Sequence, residues 1–118
     1  MRKIIILVFS LILIQSCLKS NPDFIIYNKS NKTLDTIVIG VSNENPSIIT
    51  NVKKDEYTKG KVIFDDNIKG DGDYFIEIYN KSSNLIKQKR FGYYTNGKSL
   101  NNIIKIFIYN DSIAVSYR

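Results

Sequence analysis

The chain has 118 residues, one cysteine and no histidine, and 17 Lys and Arg against 11 Asp and Glu give it a formal charge of +6. A single cysteine excludes an internal disulfide, and the lack of histidine removes the commonest general base and the commonest zinc ligand. The length suits one small core, the lysine surplus suits a solvated surface, and no helix-turn-helix or RNA-binding signature points to nucleic acid as a partner.

The chain opens with Arg2 and Lys3, followed by an apolar run from Ile4 to Ile14 broken only by Ser10. That run is too short for a transmembrane helix, which needs about 20 apolar residues. It has the layout of a secretory signal helix, with a positive n-region and an apolar h-region. Ile14-Gln15-Ser16-Cys17 closes it. These four residues resemble the lipobox of bacterial lipoproteins: Ile14 and Ser16 match, while Gln15 stands where the family prefers a small residue. The resemblance covers residues 1–17. It implies a signal peptide over 1–16, a diacylglycerol (and commonly palmitate) on Cys17, and a membrane held through that lipid. Leu18 is not the Asp of an inner-membrane retention signal, so the same resemblance implies the cell envelope, at the outer membrane. Residues 17–22 read as a short tether and 23–118 as one domain.

The mature part is rich in Ile, Val, Tyr and Phe, which fit a pleated surface better than a helix. Phe24 to Tyr27 is the first predicted strand, ended by polar residues from Asn28 to Lys32. Leu34 to Val41 alternates, and Asn43 to Pro46 breaks it. Ile48 to Val52 is a weaker run. Lys59 to Phe64 places Val62 and Phe64 on one side. Tyr74 to Tyr79 is the strongest candidate, with Tyr74, Ile76 and Ile78 facing one way. Leu85 to Tyr94 reads as an edge strand guarded by Lys87, Lys89 and Arg90. A turn at Thr95-Asn96-Gly97-Lys98 separates it from Ile103 to Tyr109, and Asn110-Asp111 makes a hairpin to Ile113–Tyr117. The expected fold is all-β: a single small antiparallel β-sandwich of seven or eight short strands. Gly72-Asp73-Tyr74-Phe75-Ile76-Glu77-Ile78 resembles the strand of many immunoglobulin-like and prealbumin-like envelope domains, a resemblance that implies fold and no function.

Three constellations carry possible chemistry. Asp65, Asn67, Asp71 and Asp73 share one Gly-containing loop and could offer oxygens to Ca²⁺, yet Lys69 and Ile76 stand where an EF-hand needs ligands. Arg90, Tyr93, Tyr94 and Asn96 lie in the most distinctive segment and form a candidate ligand platform. In a strand, however, Tyr93 and Tyr94 must face opposite ways. Asp35-Thr36-Ile37 and Asp111-Ser112-Ile113 resemble the short O-glycosylation motif of Bacteroidetes, which would make Thr36 and Ser112 acceptors. No nucleophile–base pair stands out, and the carboxylates share a loop instead of facing each other across a cleft. The expectation is therefore a non-catalytic binding module that uses no cofactor and meets an envelope protein or a glycan. The alternative is a structural subunit of an envelope complex.

Overall fold

A computed structural model of the chain describes residues 21–41, 45–64 and 67–117. The predicted signal helix and Cys17 lie outside the described residues. Among the described residues there are nine strands: β1 Asp23–Asn28, β2 Leu34–Gly40, β3 Ser47–Val52, β4 Tyr57–Lys61, β5 Gly72–Tyr79, β6 Leu85–Thr95, β7 Lys98–Ser99, β8 Ile103–Ile108 and β9 Ile113–Tyr117. They form two sheets, ordered β4-β1-β8-β9 and β3-β2-β5-β6-β7. The all-β expectation holds, and the two sheets pack as a sandwich. The two-residue β7 takes the count above the expected eight.

Period-2 alternation builds the core. Phe24, Ile26, Ile37, Ile39, Tyr74, Ile76, Ile78, Ile104, Ile106 and Ile108 point inward and are almost wholly buried. Such side chains each contribute about 1.5–3 kcal/mol of transfer free energy. Phe64, Tyr74, Phe91 and Tyr94 pack together at one end, Tyr74 stacking on Phe91 at 5.6 Å and meeting Phe64 edge-on at 5.9 Å. Burial raises the pKa of the Tyr74 phenol, whose oxygen lies 2.9 Å from Ser99 Oγ. Among the described residues, every buried side-chain nitrogen and oxygen has a hydrogen-bond partner.

Three details correct the sequence reading. The sandwich is not purely antiparallel, because β1 runs parallel to β8, pairing Phe24 with Ile104 and Tyr27 with Phe107. β1 can do this because it opens one sheet while β8 joins it after six intervening strands, five of them in the other sheet. Second, the fourth strand is Tyr57–Lys61 instead of Lys59 to Phe64. Val62 and Phe64 are buried as expected, but their amides leave the ladder, donating to Pro22 O and to Asn21 Oδ1. Third, those same bonds pin Asn21 and Pro22 to the domain, so the tether reading of 17–22 does not hold for its last two residues.

The ends of the sandwich differ. Asn21–Asp23 enters at one pole, together with the loop segments at 62–64, 67–71 and 95–102. The loops at 29–33, 53–56, 80–84 and 109–112 form the opposite pole. A buried knot braces that far pole. Asn28 Nδ2 donates to Val52 O at 2.9 Å and to Lys32 O at 2.7 Å, while Oδ1 accepts from Ser30 N at 3.0 Å and Ser30 Oγ at 2.6 Å.

Candidate functional site

The predicted platform does not assemble. Gly92, at φ +68°, takes the extra place of a β-bulge: two residues of β6 lie between Phe91 and Tyr94 where β5 has only Asp73. The bulge turns both Phe91 and Tyr94 inward. Tyr94 is therefore a core residue, meeting Phe64 edge-on at 5.1 Å. Tyr93 stays exposed, and its hydroxyl donates to Asp71 Oδ2 at 3.1 Å. That bond, and the nearby Asp71 charge, raise the Tyr93 pKa. The Asn96 amide donates to Asp71 Oδ1 at 3.1 Å, and Asn96 itself sits at φ +52° in the turn. Arg90 faces the outer surface of its sheet and grips Asp73 with two nitrogens, at 2.8 and 3.0 Å. The guanidinium holds the Asp73 carboxyl below its ordinary pKa.

The same bonds take apart the calcium reading. Asp65 lies outside the described residues, Asp71 serves the β6–β7 turn, and Asp73 serves Arg90. Among the described residues, no group of three or more acidic, Cys or His side chains is placed to hold a metal. Of the two glycosylation candidates, Ser112 is exposed in the β8–β9 hairpin, whereas Thr36 is half-buried in β2 between Thr50 and Tyr79.

What the fold does assemble is a cleft at the far pole. It has a volume of about 610 Å³, within the range of ligand pockets. Leu34, Ile78 and Ile86 give it an apolar floor; Asn31, Asn80 and Asn110 bring amides to its rim. Each wall has a local cause. The Asn28 knot fixes the 29–33 loop. Asn80 Oδ1 accepts from the amides of Ser82 and Asn84, both at 3.0 Å, and so shapes the β5–β6 turn. Asn110 Oδ1 accepts from the Asn31 amide at 2.7 Å and links the two sheets.

Lys87 completes the cleft and explains the edge of β6. Lys87 and Lys89 pair with Ile78 and Ile76, so both point into the gap between the sheets. Their ammonium groups cross it: Lys87 Nζ donates to Tyr109 O at 2.5 Å and Asn110 O at 2.8 Å, and Lys89 Nζ to Ile113 O at 2.8 Å. The stems cover apolar surface while the charges sit on carbonyls, and inward charges also discourage edge pairing. An apolar floor with amides, two lysines (Lys32 and Lys87) and Asp35 around it can hold a small polar ligand that has one apolar face.

No protein-family model and no curated protein matches the chain. Among solved structures it is similar to a protein from Eubacterium rectale determined by NMR, with a TM-score of 0.51 and 8% identity over 84% of this chain and 89% of that one. At that identity the likeness concerns the fold alone.

Proposed function

We propose that the chain is a lipid-anchored lipoprotein of the bacterial envelope, and that its sandwich is a non-catalytic binding module working through the far-pole cleft. The observation that carries this reading is the position of the cleft: it lies at the pole opposite the one where Asn21 and Pro22 enter β1. An anchor at Cys17 stands just before the entry pole in sequence, so the bilayer would face that pole and the cleft would face away. The lipobox resemblance of Ile14–Cys17 supports the anchor. The cleft's mixture of amides, the charged Lys32, Asp35 and Lys87, and an apolar floor supports a sugar or a short peptide as ligand. Outer-membrane placement follows from Leu18 on the same proposal.

The test is a ligand screen on the full mature protein in detergent micelles, using oligosaccharides and short peptides. It should be repeated on Ile86→Asp, which charges an exposed part of the floor without touching the core. A ligand that binds the native protein and loses at least about tenfold affinity in the variant supports the reading. A ligand indifferent to Ile86→Asp and to Lys32→Glu would place recognition elsewhere.

A further inference from the structure

The outer face of the β4-β1-β8-β9 sheet carries a second arrangement that the cleft does not use. Tyr57, Tyr27, Phe107 and Ala114 lie in register across its four strands, all pointing away from the core. Tyr27 stacks on Phe107 with centroids 4.9 Å apart and planes 7° apart, and Tyr57 leans on Tyr27 at 5.9 Å. Tyr57 is 60% exposed. One row nearer the entry pole, about 7 Å away along the strands, the same face reads Lys59, Ile25, Lys105 and Ser116. Lys59 Nζ also lies 5.7 Å from the Tyr57 ring centre. Next to this row is a hollow of about 390 Å³ lined by Ile25, Lys59, Lys61, Ile103 and Asp23. Asp23 is paired with Lys61 at 2.8 Å. Among the described residues of the two rows and the hollow, Asp23 is the only acid, so Lys59 and Lys105 leave the face positive.

We propose that this face binds an acidic polysaccharide, a chain of sugar rings carrying carboxylates. A ring of that kind has an apolar C–H side for the Tyr57–Tyr27–Phe107 row and an anionic group for the lysine row beside it. The hollow next to the lysines gives a ring substituent somewhere to sit. Rings and cations are arranged in separate parallel rows, which suits a ligand with its two chemistries side by side. An anionic bilayer fits less well. The rings sit at the β1 end remote from chain entry, about 13 Å from Asp23, whereas a surface pulled down by a short tether would meet the entry pole first.

Binding should be measured by affinity electrophoresis of the full mature protein in non-ionic micelles, with polygalacturonate, with neutral dextran, and with polygalacturonate after doping the micelles with phosphatidylglycerol. Polygalacturonate should retard the protein and dextran should not. Tyr57→Ala should weaken retardation about three- to tenfold, and Lys59→Glu with Lys105→Glu by about tenfold or more, with a steep salt dependence. All three positions are solvent-facing, and circular dichroism checks that the variants fold. The cleft variant Ile86→Asp should bind polygalacturonate like the native protein, which separates this proposal from the cleft reading. No retardation, equal retardation by dextran, retardation unchanged in the lysine variant, or displacement by phosphatidylglycerol would each overturn it.

Discussion

Replacing Asn28 tests how the far pole is held. Asn28 is fully buried and uses all four of its hydrogen-bonding positions. In Asn28→Ala, the Lys32 carbonyl lies by an exposed residue and regains water, and the single Ser30 hydroxyl proton, freed from Asn28 Oδ1, turns to Lys32 O, 3.1 Å from Oγ. The Val52 carbonyl and the Ser30 amide lose a buried partner and gain none. At about 1–3 kcal/mol for each orphaned group, with a small cavity added, the loss is about 3–5 kcal/mol. For a domain of this size that lowers Tm by roughly 15–30 °C, measurable by circular dichroism. Asn28→Asp sharpens the test. Its carboxylate would face two carbonyls, so the folded state favours the neutral acid and its pKa rises above the unfolded value. The variant should then be most stable below about pH 4 and lose stability as pH rises through the raised pKa, the reverse of ordinary acid denaturation. A Tm drop of only a few degrees in Asn28→Ala, or an Asp variant most stable at neutral pH, would refute the knot's role.

Two glycines make a matched pair. Gly97, at φ +67°, has the Ile68 carbonyl oxygen where a Cβ would go, while Gly70, at φ +75°, has nothing within 4 Å. Urea unfolding should show a loss of about 1–2 kcal/mol for Gly70→Ala and clearly more for Gly97→Ala. Lys87→Met with Lys89→Met removes the charges that span the sheet gap, and light scattering should show concentration-dependent association through β6. The Asp73–Arg90 pair contributes stability above the ordinary carboxylate pKa and loses it as pH falls through the lowered folded value. The stability gap between native protein and Arg90→Ala should therefore be constant above about pH 5 and close below about pH 4.

Single strands were legible because each carries its own alternation. Tyr74, Ile76 and Ile78 announce a buried face, and Asn110-Asp111 a hairpin, within a few residues. Partnership between strands was not. Nothing near Tyr27 says that Phe107 lies beside it, since that contact depends on β1 and β8 pairing in parallel across most of the chain. The far-pole cleft was illegible for the same reason: Asn31, Asn80 and Asn110 each look like turn residues, and only closure of the sandwich brings them together. Tyr93 and Tyr94 did part to opposite faces as strand geometry required. The Gly92 bulge, with its positive φ, decided which of the two went inside. Their charge marks Lys87 and Lys89 as edge guards, but their reach across the gap needs the other sheet to be in place.

On the function proposed above, an anchor at Cys17 holds the domain with its far-pole cleft pointing away from the bilayer. Mass spectrometry of the mature amino terminus, on protein taken from the membrane fraction, tests it most directly. The expected mature chain begins at Cys17 carrying the mass of a diacylglycerol, with residues 1–16 removed, and Cys17→Ser loses membrane retention. A mature chain beginning at any other residue, or an unmodified Cys17 in membrane-bound protein, would contradict it.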